Sequence, residues 1–600
     1  MGLLQRAVET YDSSISILGK YDDKHLNPLV PIGHTLTNAN IEITIDIAGN
    51  FCSARLVGKD EPKIIIPVTE DSGGRTSAPM PHPLCEQLKY LAPTDGKKLE
   101  MYCDQLEDWA NSLYGHPILS AVLAYVRKES ILSDLVKSGL IASEAKGKYN
   151  EKLMVCWRVI GLEKNEETAC WKSQNLFRRF SDYYHEKIQS RENVFCMVSG
   201  EFTAGAVQHP KGIIPVHGNA KLISANDSSG FTYRGRFAED WQAAQIGYIA
   251  SQKAHNALRW LAGEQGIRET VGGRVFLCWS PEGEILPPPM QGLRKKEQNP
   301  MWRPSDYRDA IYKEFYSFSK NKAEHKYGTA VLASFDAATT GRLSLTYYNE
   351  LSVPAFLEKM KEWDDCCCWY FGKWGIQSPA LSQIVDCAFG TLQGKFLETD
   401  DRIKPQQIQR LLDCKLNGNI FPIDIVRRLA IRASEPSYYE KSMGTWRTII
   451  HTACAALQKY RTDIQIGGNE MSWELDKDDR SFQYGRLLAV MERAELDYYG
   501  KSEEDRQTNA IKSMHDYRRH PWSVFERINR QLQQAYLPRI DAWQRKRYEK
   551  LTGEIAEHLG KYPESELNKP LEDIYLMGYE LQRNAFFMKN TANINETEEK

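Results

Sequence analysis

The chain has no CxxC spacing, although it holds thirteen cysteines, so zinc ribbons and thioredoxin-type motifs are excluded. Cys366, Cys367 and Cys368 are consecutive, and three adjacent side chains cannot close around one tetrahedral ion without severe distortion. The expectation is free, mostly buried thiols in a reducing cytoplasm. No apolar run approaches the roughly 20 residues that span a bilayer. The opening MGLLQRAVETY lacks the apolar core of a secretory leader. The sequence reads as cytoplasmic, with no membrane partner. It also lacks charge of one sign. The net charge is −2, so any nucleic-acid surface must be local.

Catalytic patterns are missing as well. There is no GxSxG and no Rossmann glycine pattern. GTLQGKF (390–396) has three residues between its glycines where a P-loop has four, and Phe396 where Ser or Thr would hold magnesium. His185-Glu186 has no second histidine at zincin spacing. His515-Asp516 stands without the cluster that holds two metals. Glu474, Asp476 and Lys477 lie in a charged linker, not on a strand hairpin. Cys196 and His209 could serve as nucleophile and base, but Cys196 sits between Phe195 and Met197 in an apolar strand, where core packing is the plainer reading. No catalytic residue, metal or cofactor is expected, and the chain reads as a non-enzyme.

What is present fits an α+β protein. Six hundred residues exceed one hydrophobic core and predict two or three domains. Residues 2–20 have the spacing of a short amphipathic helix through Leu4, Val8, Tyr11 and Ile15. IEITIDIAGN alternates through Ile41, Ile43, Ile45 and Ile47, and FCSARLV and PKIIIPV continue the pattern as a hairpin or meander. Residues 99–190 read as helical, with WRVIG (157–161) a possible strand. YGTAVLASFDAATTGRLSLTYY (327–348) is two strands around a Thr-Thr-Gly turn. From about 380 the strand signals stop. The sequence predicts a mixed α/β N-terminal region with antiparallel strands over 1–375, a helical connecting region over 376–470, and a helical bundle over 471–600. Four apolar-striped segments form that bundle: 484–498, 522–536, 540–559 and 571–587. The tail NINETEEK is expected to be disordered.

Binding candidates fall in four places. Gly73 and Gly74, beside Arg75, Thr76 and Ser77, can present amides and hydroxyls to phosphate from a loop. The segment 224–237 supplies Asn226, Ser228, Ser229, Arg234 and Arg236 between a strand and a helix. A Pro-rich linker carries Arg294, Lys295 and Lys296. In the bundle, 514–550 holds nine Lys/Arg against four acids, interleaved with Tyr517, Trp522, Phe525, Tyr536, Trp543 and Tyr548. Basic faces beside aromatics suit single-stranded nucleic acid, with Arg518, Arg519, Arg527, Arg530, Arg545 and Lys546 as its cations. A solvated helix face over an aromatic core explains the same pattern.

The runs FCMVSGE (195–201), HPKG (209–212), LISANDSSGFTYRGRF (222–237), SQKAHNALRWL (251–261) and VFLCWS (275–280) resemble the large subunit of the type I-C CRISPR surveillance complex, Cascade, the Csd-type protein. The resemblance extends to RTSAPMPHPL (75–84), LASFDAATTGRLSLTYY (332–348), LLDCKLNGNIFPIDIVRRLAIRAS (411–434), YGRLLAVMERAE (484–495) and YLMGYELQRNAFF (575–587). Some members carry a shorter Ser-Tyr-Gly where this chain has Thr232-Tyr233-Arg234-Gly235, which leaves the role of Arg234 open. The resemblance implies a non-catalytic subunit that reads the protospacer-adjacent motif (PAM) on duplex DNA. It also implies help in opening the duplex, holding the displaced strand and recruiting the helicase-nuclease in antiviral defence. The implied partners are the guide RNA complex, its backbone and guide-processing subunits, and target DNA. A small subunit made from an internal start is a further one, with Met471 favoured over Met491. The implied division of labour is general to RNA-guided complexes: a protein reads a short motif while guide pairing reads sequence. The competing readings are a scaffold without DNA contact, and a nuclease.

Overall fold

A computed structural model describes residues 1–21, 27–75, 79–92, 96–142, 149–214, 218–224, 242, 244–265, 267–292, 303–320, 328–465, 473–475, 477–500 and 507–598. The chain forms two compact units. The first is Met1–Leu286 with Gly328–Leu351, and the second is Pro287–Tyr327 with Ser352–Lys600. The sequence reading places its first break at 375/376. Between the compact units the chain passes at 286/287, 327/328 and 351/352.

The first unit holds two four-stranded sheets. β1 (His34–Thr37), β2 (Ile41–Asp46), β3 (Phe51–Leu56) and β4 (Ile64–Pro67) open it. Ile41, Ile43 and Ile45 are wholly buried, each worth about 2 kcal/mol against exposure. Between them Glu42 faces away from this core, where Arg55 and Arg158 donate to it at 2.7 and 2.6 Å. The β2–β3 hairpin turns at Gly49, whose φ of +74° is in the left-handed region. A Cβ there would meet the Ala121 carbonyl at 2.8 Å, so the turn needs glycine for two reasons. IIIP does not continue this hairpin. It leaves to pair with β1, His34 opposite Pro67.

β5 (Glu86–Gln87) and β6 (Met154–Ile160) complete the first sheet in the order β3-β2-β6-β5. The WRVIG segment is indeed strand, and β2–β6 is a parallel pair among otherwise antiparallel ones. Helices α3 (Gly96–Ala110), α4 (Pro117–Val126) and α5 (Gln174–Ile188) pack on it around Trp109, Trp157 and Phe180. The second sheet has the order β12-β11-β10-β9, from β9 (Ile267–Val271), β10 (Arg274–Trp279), β11 (Thr329–Thr339) and β12 (Arg342–Ser352). α1 (Leu3–Ser13) and α6 (Tyr248–Trp260) share its core through Ala7, Tyr11, Ala257 and Leu258. A short helix α2 (Glu70–Gly74) and a hairpin of β7 (Asn193–Phe195) and β8 (Phe202–Ala204) complete the unit.

The second unit is mostly helical. Its longer helices are α7 (Pro304–Lys320), α8 (Val353–Cys366), α9 (Leu381–Phe389), α10 (Lys404–Asn417), α11 (Ile423–Ala433) and α12 (Met443–Asp463). Then follow α13 (Arg480–Tyr499), α14 (Pro521–Gln531), α15 (Ala542–Leu559) and α16 (Tyr575–Glu598). Strand signals do not stop quite at 380. β13 (Trp369–Tyr370) pairs with β14 (Ile376–Gln377), and β15 (Thr391–Gln393) with β16 (Phe396–Glu398). The rejected GTLQGKF motif is this last hairpin, turning at Gly394 with φ +63°. The tail is helical through Glu598, because no Gly or Pro interrupts 579–598. All cysteines are unpaired, and most are buried. No described helix is long and apolar enough to cross a membrane.

Candidate nucleic-acid interface

The first predicted loop is partly helix. Thr69 caps α2, accepting from the Ser72 N–H at 3.1 Å. The Gly73 N–H is used inside this turn, donating to the Thr69 carbonyl at 2.9 Å. A Cβ on Gly74 would meet Gln208 Oε1 at 1.9 Å, so this glycine serves close packing rather than an open amide loop. Arg75 is not a free cation either. Its guanidinium pairs with both oxygens of Glu86, one at 2.9 Å, lies 5.0 Å from the Tyr90 ring centre, and also donates to the Met80 carbonyl. Glu86 is fully buried and also accepts from the His82 and Gln87 N–H groups, each at 2.6 Å. Leu84, just before it, has φ +77° and offers its carbonyl to Tyr102 and Trp157 at 2.6 and 2.8 Å. Removing one partner of a buried pair strands the other charge. Glu86→Ala is expected to cost about 3–5 kcal/mol, read as a lower urea midpoint.

Thr69, Ser72, Gly73, Gly74, Arg75 and His82 line one side of a 480 Å³ cleft in the first unit. Across it runs His209-Pro210-Lys211-Gly212. Arg259 of α6 holds this turn, donating to the Lys211 and Gly212 carbonyls at 2.6 and 3.3 Å and to Thr35 Oγ1 at 3.1 Å. Gly212 has φ +76°, with Gly218 O only 2.9 Å from where a Cβ would sit. Lys211 bridges to Lys221 in an antiparallel pairing, so two lysines lie side by side. The Lys221 ammonium donates to Gln208 Oε1 at 3.3 Å. Neither lysine has a carboxylate within ion-pair distance among the described residues. The two nearby acids are saturated: Glu86 by Arg75, and Glu70 by Arg191 and the Val207 and Gln208 N–H groups.

The electrostatics record this excess. Burial lowers the Lys211 pKa, and the Arg75 charge lowers it further. Burial and then Lys211 lower that of Lys221. Histidines in the cleft are neutral. Burial takes His34 to about 4. Burial, with His255 and Lys221, takes His209 to about 3. His209 Nδ1 contacts Ser251 Oγ at 2.8 Å, and its ring stacks on His255 at 5.7 Å. Cys196 instead accepts from the Ser199 N–H at 3.4 Å. No hydrogen bond joins Cys196 to His209, so the structure does not assemble this pair as nucleophile and base.

A family model described as CRISPR-associated protein (Cas_Csd1) matches residues 13–587. The chain belongs to this CRISPR-associated family. No curated protein matches it. Within this Csd1-family chain, Thr76, Ser77, Asn226, Ser228, Ser229, Arg234, Arg236, Arg294, Lys295 and Lys296 lie outside the described residues, as do Met471 and Asp476. The described chain does lead toward 225–241 at Ser224, three residues past Lys221. Lys211 and Lys221 are absent from the candidates chosen by sequence. The HPKG turn was the available signal, since Pro and Gly fix a bend that presents the lysine between them.

In the second unit the predicted cations separate. Arg518 donates to Asp573 at 2.7 Å and so serves the helical packing. Arg527 reaches Ser513 Oγ at 3.4 Å. Arg519, Arg530, Arg545 and Lys546 are exposed, and Arg545 only approaches Glu549 at 3.8 Å. His515 faces Glu435 at 3.5 Å. No group of three or more His, Cys, Asp or Glu that could hold a metal occurs among the described residues.

Proposed function

We propose that this chain is the non-catalytic, DNA-contacting large subunit of a type I-C guide-RNA complex. In this reading it contacts PAM-bearing duplex through the Lys211–Lys221 cleft, helps open the duplex and hold the displaced strand, and offers a surface to the helicase-nuclease. One observation carries the reading: two adjacent, partly buried lysines have no carboxylate within ion-pair distance among the described residues. Such a site is stabilised by an incoming phosphate, which supplies the missing counter-charge. Gly73, Gly74 and Arg75 then shape the cleft rather than grip the ligand.

The test is the affinity of the reconstituted complex for PAM-containing duplex. Lys211→Ala with Lys221→Ala is expected to weaken it about tenfold or more and to lower the salt slope by about 2, near 0.9 per phosphate contact. Guide-RNA loading should be unchanged. An unaltered salt slope would remove the cleft from the DNA site. The pH dependence has a definite sign. A lysine with a lowered pKa loses its proton at lower pH than an ordinary lysine, and phosphate favours the charged form. Affinity should therefore fall with rising pH, and should begin to do so at a lower pH than for a contact made by an ordinary lysine. His34 and His209 are already neutral well below pH 6 and add no inflection there.

A further inference from the structure

The Lys211–Lys221 pair has a chemistry that phosphate binding alone does not use. Both backbones are fixed. Arg259 holds the Lys211 and Gly212 carbonyls, and the Gly212 N–H donates to the Ala220 carbonyl at 3.1 Å. The Lys221 N–H donates to the Gly341 carbonyl at 3.1 Å, and its own carbonyl accepts from the Leu343 N–H at 2.9 Å. Neither side chain hangs from a free loop.

The two side chains differ in one respect. The Lys221 ammonium donates to Gln208 Oε1, a contact that favours its charged form. Lys211 lines the cleft, is half-buried, and has no hydrogen-bond or ion-pair partner for its ammonium among the described residues. Burial makes both ammoniums easier to deprotonate, and two neighbouring charges repel, so the pair gives up one proton more readily than separate lysines do. The remaining proton is better held on Lys221, where Gln208 accepts from it. What faces the cleft is then an amine at Lys211 beside an ammonium at Lys221. A lysine made nucleophilic by burial and a neighbouring cation is a general device of covalent chemistry.

We infer that Lys211 is an acylation site for small acyl phosphates, whose phosphate the neighbouring Lys221 ammonium receives. The Lys211 nitrogen attacks the acyl carbon and a C–N bond forms. The bond from the acyl carbon to the phosphate oxygen breaks, its electron pair going to that oxygen. The amine proton passes to the departing phosphate. The products are an N-acyl lysine and hydrogenphosphate, so the step needs no oxidant or reductant. Its consequence rests on the reading above that the cleft contacts DNA: acylation removes one of the two cations and lowers affinity for PAM-bearing duplex.

The test treats the full chain with acetyl phosphate and follows acetylation of each lysine by peptide mass spectrometry. Lys211 should react about fivefold or more faster than the exposed Lys137 and Lys550, because a bound donor and a free amine act together. Inorganic phosphate should slow Lys211 and leave those two unchanged. The Lys211 rate should also begin to climb at a lower pH than theirs. Lys221→Gln should abolish the preference, since it removes both the repulsion and the phosphate contact. Acetylation of Lys211 no faster than of Lys137 and Lys550 would overturn the inference. So would a preference that survives both Lys221→Gln and excess phosphate. The acetylated chain, rebuilt into the complex, separates the two readings. Selective acetylation with unchanged PAM-duplex affinity would remove the cleft from the DNA site and leave the Lys211 chemistry standing.

Discussion

Replacing Gly485 or Gly578 by valine is expected to unfold the α13–α16 pair. The two helices cross with their backbones in contact. A Cβ on Gly485 would lie 1.9 Å from the Tyr575 carbonyl, and one on Gly578 would lie 2.1 Å from the Phe482 carbonyl. Real Cβ atoms do not approach carbonyls that closely, and a backbone atom cannot rotate away as a side chain can. The helices would have to separate. Separation would break Arg486–Gln582 at 3.0 Å and Tyr579–Glu492 at 2.6 Å. The cost should be at least the about 3 kcal/mol upper range of ordinary overpacking, seen as a large fall in the urea midpoint. The same change has the opposite sign where space is open. Gly553, inside α15, has nothing within 4 Å of its Cβ position. Gly553→Ala should stabilise by about 1 kcal/mol through helix propensity alone. A Gly485→Val protein with an unchanged midpoint would sink the account. Because α14 and α15 also pack around α13, the loss should spread to them.

The second large effect is expected at Arg447. This α12 side chain reaches Glu492 of α13 at 2.9 Å and the Tyr579 hydroxyl of α16 at 2.9 Å, with Glu580 at 3.8 Å. His451, one turn on, lies 3.3 Å from Glu580. Glu580 is fully buried, and Glu492 nearly so. Arg447→Met keeps bulk but removes the charge shared by both carboxylates. Breaking a buried network in this way costs about 3–5 kcal/mol. The acid side gives a second check. Burial pushes the Glu580 carboxyl up, but His451, Arg583 and Arg447 outweigh it and leave its pKa at about 2. A depressed carboxylate pKa gives stability that is present above the unfolded value and is lost as pH falls toward the folded one. The native chain should therefore lose stability progressively from about pH 4.5 downward. Arg447→Met should give up less over that range, since its carboxyl starts closer to the unfolded value. Urea midpoints of both proteins at pH 7 and pH 3 decide this, and parallel losses would refute it.

Both sites lie inside motifs visible in the chain. YGRLLAVMERAE contains Gly485 and Glu492, and YLMGYELQRNAFF contains Gly578, Tyr579 and Glu580. Their order supported the family, but nothing in either run says that the two glycines face each other across 93 residues. Periodicity gives each helix its apolar stripe. It does not say which stripe meets which, because pairing depends on packing between segments distant in sequence.

The same division holds at the cleft. Turn residues marked 73–77 as non-helical, yet a Thr69 cap and a Gln208 contact made Gly73 and Gly74 the end of α2. Arg75 carries the residue type expected of a phosphate contact, but Glu86 lies eleven residues on and folds back onto it. Lys211 and Lys221 look unremarkable alone. They become a candidate pair because one antiparallel bridge sets them side by side and Glu70 and Glu86 are engaged by Arg191 and Arg75.

By itself the sequence determined the α+β order, the β2–β3 hairpin, the mostly helical C-terminal half, the buried thiols and the family. The fold properties follow from period, turn chemistry and composition, which are local or additive along the chain, and the family from the resemblance of ordered sequence runs. Only the tertiary structure decided which charges are spent and which remain. It consumed Arg75 and Arg518 in ion pairs, left Lys211 and Lys221 without a carboxylate partner among the described residues, and exposed Trp543 while burying Tyr548. The physical reason is that the availability of a charge or ring depends on desolvation and on partners brought from distant segments, and these exist only once the chain has closed on itself.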